Sequence, residues 1–456
     1  MAAKGFCDDW KAGENAAMAW TEKALAAAGA DTLNCLTLVD RQRAEAQSRE
    51  AQRRIDAGLT GPLTGLPYVA EDGIMVEHQI SSGGSRMLAN FAPPFGAEVI
   101  RRLDEAGLVL LGKANMGELK MGGEESSYFG PVTHPLDAGR RSGGAAAAVA
   151  AGIVPLALAV DSLGEVRRQA AQAGVVCCKP SYGTVSRFGV IANVSSCEQI
   201  AAIAPVVAEA AELLHLAAGH DPKDGASLPQ EAYTYDLSQE IAGKKAAVLV
   251  DYQTNDYDRR CLEQGVSLLR RAGIEPVEVK TRYAAYAHLA LTAIAAAEGC
   301  NNVSRFDGVK YGYRAPEYKN MEELYCNSRS QGLGMEVKRD AVLGVYVLAK
   351  EQYQTYYYKA LQVRHLLWQE MNDLFREYPL VLTPLAAGPP YAAGEDRGGR
   401  LSFRDRFYAA IPSLLGLPAV AFSVGRDQAG LPLPCQLFGA QGQDGAVFAA
   451  AAALGK

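Results

Sequence analysis

Spaced metal ligands are absent from this sequence. Its six histidines (His78, His134, His215, His220, His288 and His365) follow no metal-binding interval, and each reads as a surface or satisfied core residue. The nine cysteines are odd in number and scattered, with only Cys177 and Cys178 adjacent and no C-x-x-C pair. That pattern is not one of a disulfide framework and leaves zinc or redox chemistry without a motif, so reduced, mostly buried thiols and no cofactor are expected. An excess of positive charge is missing too. The chain carries 45 Lys+Arg against 51 Asp+Glu, a net charge of −6, so no direct nucleic-acid binding is expected. Nor is there an apolar run of membrane length: the longest, Ala145 to Val160, is interrupted by Gly152 and Pro155. The opening "MAAKGFCDDWKAGENAAMAW" has no basic region leading into an apolar one, so no signal peptide is read there. The expectation is a cytoplasmic protein that does not enter a membrane.

What is present is an α/β rhythm over 456 residues. The first sixty residues read as helices, among them "DRQRAEAQSREAQRRIDAG", whose sparse apolar content suits a surface helix or docking arm. "GPLTGLPYVAEDGI" then leads through Gly61, Pro62, Gly65 and Pro67 into a short strand. "GAEVIRRLDEAG" sets Val99, Ile100 and Leu103 on one helical face, and "LVLLGK" follows as a buried strand. "SGGAAAAVAAG" is a helix so rich in alanine that it must pack closely on a neighbour, and "IVPLALAV" is an apolar strand suited to a sheet covered on both faces. A strand–helix–strand unit recurs in "KKAAVLVD", "DRRCLEQGVSLLRRAG" and "IEPVEVKT". Met335 to Phe375 reads as helical, and "YPLVLTP" and "GLPAVAFSVG" as late core strands. With no repeat or long linker, the expected organisation is a helical N-terminal arm over 1–60 and one domain over 61–456.

The segment "RRSGGAAAAVAAGIVPLALAVDSLGEVRRQAAQAGVVCCKPSYGTVSRFGVIA" resembles the signature segment of the amidase-signature family. Within that family the nearest likeness is to the A subunits of glutamine-dependent aspartyl/glutamyl-tRNA amidotransferases. "PPFGAEVIRRLDEAGLVLLGKANMGELKMG", "NNVSRFDGVKYGYR", "EVKRDAVLGVYVLAKEQYQTYYYKALQVR" and "GLPLPCQLFG" resemble segments of those proteins in matching order. The resemblance implies an α/β amidase-signature fold, a central mixed β-sheet covered by helices on both faces. It also implies amide hydrolysis or amidotransfer from glutamine through a Ser–cis-Ser–Lys triad. In this chain Glu71 stands at the position of the lysine, Arg141 at that of the bridging serine, and Glu165 at that of the nucleophile.

These replacements bear directly on the chemistry. The family's lysine must be neutral to take a proton through the bridging serine, and the nucleophile depends on that relay. Arg141 is permanently charged and cannot shuttle a proton. A carboxylate at Glu165 is a poor nucleophile towards an amide and opposes the negative charge that develops on a tetrahedral intermediate. Loss of one member of such a unit costs on the order of a thousandfold or more, and further losses add little. The triad is therefore read as degenerate. Glu71, Arg141 and Glu165 are expected to converge as a Glu–Arg–Glu ion cluster, or else to be independent substitutions that followed loss of activity.

Other residues enter as pocket candidates. Ser142, Gly143 and Gly144 open a helix; Ser162 and Gly164 flank Glu165; Arg339, or Lys338 beside it, matches a region where the resemblance implies that relatives hold a substrate carboxylate. Lys113 invites a reading as surrogate base but suits an ion-pair partner better, and Ser126 and Ser127 fall where relatives line the amide pocket. Asp405 and Phe407 share the segment expected to read an α-amino group. Tyr356–Tyr358 reads as packing or partner surface. Three functions stay open: a catalytically inactive amidase-fold protein with a structural or regulatory role; an active amidase or glutaminase subunit using non-standard residues; and a sensor binding an amide or amino acid. By analogy with the family, amidotransferase-type protein subunits are the candidate partners.

Overall fold

The computed structural model describes residues 16–252, 254–395 and 400–455. In chain order its strands are β1 (Leu36–Val39), β2 (Pro67–Glu71), β3 (Val109–Ala114), β4 (Val132–His134) and β5 (Asp137–Ser142). There follow β6 (Leu156–Asp161), β7 (Val176–Lys179), β8 (Gln199–Ala204), β9 (Lys245–Leu249) and β10 (Glu275–Val279). The last are β11 (Leu380–Pro384), β12 (Ala419–Arg426) and β13 (Pro432–Gly439). Eleven of these form one sheet in the order β1-β3-β2-β6-β8-β7-β12-β13-β11-β9-β10, and β4 and β5 form a separate hairpin. The sheet is mixed: β2 runs parallel to β3 and β6, whereas β6 and β8 are antiparallel.

The helices are α1 (Ala16–Gly29), α2 (Arg41–Asp56), α3 (Glu98–Glu105), α4 (Gly144–Ala150), α5 (Glu165–Ala173) and α6 (Val207–Ala217). The second half adds α7 (Asp256–Arg271), α8 (Ala284–Val303), α9 (Met321–Gly332), α10 (Met335–Leu348) and α11 (Lys359–Glu377). It closes with α12 (Arg400–Leu414) and α13 (Asp444–Leu454).

The central strand β6 explains how the layers are built. Side chains alternate across a strand, so Leu156, Leu158 and Val160 face one way and Ala157 and Ala159 the other. The leucine face packs with Val99 of α3 and with Leu213 and Leu214 of α6. The alanine face packs with Ala145–Ala148 of α4 and with Ala170 and Ala171 of α5. Small side chains on both partners let α4 and α5 lie close to the sheet, and their N-termini meet beyond the C-terminal ends of β2 and β6. That is where open α/β sheets present their binding crevices.

The expected strand–helix–strand unit over 244–281 is present as β9, α7 and β10, with β9 and β10 parallel. The reading of residues 1–60 as helices needs one correction. Leu36–Val39 is a strand, paired antiparallel with β3 at the sheet edge, and α1 and α2 flank it in sequence. Four residues alternating in their apolar character make too short a pattern to read. The helical tract from Met335 is also interrupted, by a π-helical turn at Gln354–Tyr358 between α10 and α11. The eight described cysteines are all unbridged, six of them buried. Among the described residues no helix is long and apolar enough to cross a membrane.

Candidate functional site

A cavity of about 80 Å³ lies where the ends of β2 and β6 meet the N-termini of α4 and α5. Glu71, the last residue of β2, lines it and is 4% exposed. Its Oε2 accepts the Val160 N–H of the neighbouring strand at 2.9 Å, which fixes the carboxylate at the strand ends. Glu165, the first residue of α5, lines the other side, and its Oε2 accepts the Leu163 N–H at 3.1 Å. Gly164 makes that turn possible. It has φ +91°, a left-handed conformation, and a Cβ there would fall 2.1 Å from the Cβ of Ala409.

The cation between these carboxylates is Lys120. Its ammonium donates a short hydrogen bond to Glu71 Oε1 and lies 3.6 Å from Glu165 Oε1. Burial works against the charged amine, but Glu71 and Glu165 outweigh it and hold the Lys120 pKa above the usual lysine value. Burial pushes the Glu71 carboxyl upward, against the pull of Lys120. Lys120 therefore stays protonated, and as an ammonium it cannot accept a proton.

The expected Glu–Arg–Glu cluster does not form. Arg141 lies in β5 and donates from Nε to Glu125 Oε1 at 2.5 Å, away from Glu71 and Glu165. The reason is the alternation of the strand: its neighbour Ser142 lines the cavity, so Arg141 projects from the opposite side. There its backbone N–H donates to the Tyr391 carbonyl at 2.9 Å, and Glu125 also accepts the Gly394 N–H at 3.0 Å. The sequence offers no signal for Lys120. Leu119 and Lys120 have left-handed backbones, with φ +49° and +58°, and that local turn aims the side chain inward.

The remaining candidates divide. Ser142, Gly143, Gly144 and Gly164 line the cavity, as does Ser127. Ser142 is 3% exposed, and its Oγ has no hydrogen-bond partner among the described residues. Gly144 sits where a Cβ would fall within 2.6 Å of the backbone of Asn115 and Cys35, which explains the glycine. Ser162 does not line the cavity; its Oγ donates to Glu198 at 3.3 Å. Arg339 is exposed on α10 and also lies outside the lining. Ser126 donates to the Gly123 carbonyl at 2.6 Å as part of the loop that carries Lys120. Lys113 is fully buried behind β2, where its ammonium donates to the Ile74 carbonyl at 2.5 Å and to Ser81 Oγ at 3.0 Å. Burial lowers its pKa to about 8, opposed by Asp72 and Glu71. The side chain of Asp405 lies outside the described residues.

Further ion pairs line and back the cavity. Arg168 of α5 pairs with Glu124, and its guanidinium stands 5.1 Å from the ring centroid of Tyr391. Behind α5, the fully buried Arg167 donates to Asp161, the last residue of β6, at 2.9 Å, and to Gln436 and Ser413. These bonds fix the start of α5 against β6, β13 and α12.

The family model described as Amidase matches residues 19–448. This chain belongs to the amidase family. Within the family it is similar to the A subunit of the glutamyl-tRNA(Gln) amidotransferase of Thiobacillus denitrificans, at 38% identity over 419 residues. That match covers 90% of this chain and 86% of the relative. The same subunit in Lachnospira eligens is 37% identical over 443 residues, covering 94% of this chain and 92% of the relative. Among solved structures, the A subunit of the glutamyl-tRNA(Gln) amidotransferase of Thermotoga maritima superposes with a TM-score of 0.80 at 28% identity, over 97% of this chain and 92% of that one. A second amidase-fold neighbour, from a vestigial protein complex that reveals the evolutionary origins of an s-triazine catabolic enzyme, gives a TM-score of 0.83 at 26% identity. It covers 96% of this chain and 94% of that one. The mixed α/β amidase fold read from the sequence is thus the fold of the chain.

Proposed function

We propose that this protein is a catalytically silent homologue of the amidotransferase A subunit, kept as a structural or regulatory partner in a protein complex. One observation carries the reading: Lys120, the amine in the cavity, is clamped between Glu71 and Glu165. A Ser–Lys relay needs a neutral amine, and this one is held as a cation. Glu71, Arg141 and Glu165 stand at the three positions that the family resemblance gives to the triad. Glu165 also accepts the Leu163 N–H, so that donor is taken up by a carboxylate and is not free to stabilise an oxyanion. The partner role rests on the similarity to named amidotransferase subunits and on the neighbour from a vestigial complex.

A second reading has one observation in its favour. Ser142 Oγ is buried, unpartnered and in the same cavity as Lys120, so a Ser142 nucleophile with Lys120 as base would define an active amidase. Ammonia release from glutamine and simple amides by the purified chain separates the two. Silence is expected. Turnover above a heat-treated control, abolished by Ser142→Ala, would establish the second reading instead. The partner role has its own test, co-purification of the native chain with stoichiometric protein partners, and a monodisperse chain without partners contradicts it.

A further inference from the structure

Away from the cleft, α11 borders a second space of different chemistry. Leu361, Arg364, His365 and Trp368, spaced i, i+3, i+4 and i+7, lie along one side of that helix and line a groove of about 330 Å³. Its other wall is built from Tyr182 just after β7, Leu415 ahead of β12 and Gln441 after β13. No lining residue is shared with the cavity that holds Lys120. The volume is that of an ordinary ligand pocket, roughly 300–1,000 Å³, but the groove is open to solvent and its lining, not its size, sets what it can hold.

One feature of that lining is a cation without a counter-ion. Arg364 donates from Nη2 to the Ser196 carbonyl at 3.5 Å and makes no ion pair among the described residues. Glu298, close by, is committed to the Ser196 N–H at 2.9 Å. Most of the guanidinium's five donors are therefore unused by the protein, and their planar fork suits a carboxylate. A second feature is an aromatic platform left half-covered. Trp368 is 48% exposed, and the His365 ring lies nearly parallel to it, 16° apart with centroids 6.0 Å away. Across the groove Tyr182 is pinned by its hydroxyl, which donates to the Ser195 carbonyl at 2.9 Å. A flat ring laid in the groove would cover apolar surface that now faces water.

Charge narrows the class further. The described lining contains no Asp or Glu, so nothing in it would pair with an ammonium, and a free amino acid is a poor match. Arg364 is its one permanent cation, which matches a single carboxylate better than the nearly two charges of a phosphate monoester. We infer that this groove binds a planar aromatic monocarboxylate, with the carboxylate on Arg364 and the ring on Trp368. Such a ligand ties α11 to the segments ahead of β12 and after β13. The inference goes beyond the silent-cleft reading and does not depend on it.

The test is calorimetric titration of the full chain at neutral pH with benzoate and naphthoate. Benzyl alcohol, cyclohexanecarboxylate and benzylammonium are the controls: a ring without charge, a charge without an aromatic ring, and the opposite charge. Saturable one-site binding of the two aromatic carboxylates is expected, with every control clearly weaker. Arg364→Gln should weaken binding about tenfold, the loss of one charge-assisted hydrogen bond. Trp368→Ala should weaken it severalfold, and this half-exposed position supplies the readout should the glutamine variant fail to fold. Absence of saturation, a control that binds as well as benzoate, or unchanged affinity in the folded variants overturns the inference. The last result would place the aromatic carboxylate somewhere other than this groove.

Discussion

The ammonium of Lys120 hydrogen-bonds the carboxylate of Glu71 in a cleft where neither side chain is more than 6% exposed. Removing one partner of a buried ion pair strands the other, at a cost of about 3–5 kcal/mol. Lys120→Met is expected to fall in that range by urea denaturation. Adding Glu71→Gln removes the stranded charge, so the double variant should recover a large part of the loss. Additive losses in the double-mutant cycle would show that the two residues do not interact.

Arg141 should behave differently from Lys120. Its pair with Glu125 is partly solvated, with side chains 15% and 30% exposed, so its net contribution is nearer that of a surface pair, about 1 kcal/mol. Arg141→Ala is expected to lower stability clearly less than Lys120→Met when both are measured in the same denaturant series. An equal or larger loss would place Arg141 in the buried cluster after all.

These two residues also show what can be read from the sequence. The continuous apolar run of β6 and the alanine-rich α4 are legible, because burial on both faces is written directly into residue type. The place of Glu71 is legible through the family resemblance, which sets it just after a short strand. Arg141 is misplaced because a one-residue step along β5 reverses the side of the hairpin, and the motif frame gives position but not facing. Lys120 goes unread because its direction is set by two left-handed residues in an aperiodic loop. Strand β1 is hidden for a related reason: its place is fixed by pairing with the distant β3, and not by its own four residues.

Lys113 and Lys179 give the stability a particular pH dependence. Burial is the first cause of each shift, and it lowers both amines to about 8 in the folded chain. Between about pH 8 and the ordinary lysine value near ~10.4, the unfolded chain therefore binds more protons than the folded one. Stability contributed by these groups rises with pH across that window. Lys113→Met should flatten part of this rise in denaturation curves taken across the window. A slope unchanged in the variant would mean that Lys113 is not the group responsible.

Gly164 supports the turn that places Glu165. Gly164→Ala meets two obstacles, the left-handed φ of +91° and a contact of 2.1 Å with the Ala409 side chain. Backbone strain alone costs on the order of 1–3 kcal/mol, and the overlap adds to it. Lowered thermal stability or loss of soluble protein is expected. A stable Gly164→Ala chain would mean that the start of α5 can shift.

The most direct measurement is ammonia release from glutamine by two forms of the chain. One is native; the other carries Glu71→Lys and Glu165→Ser together with Lys120→Met, with Ser142, which already lines the cavity, left to bridge them. The third change is required because Glu71→Lys would otherwise set a second ammonium against Lys120, which already occupies that space. A silent native chain, with turnover appearing in the restored one, is the predicted result and would show that the cleft kept its shape and lost its chemistry. Turnover by the native chain above its heat-treated control would contradict the silent reading outright.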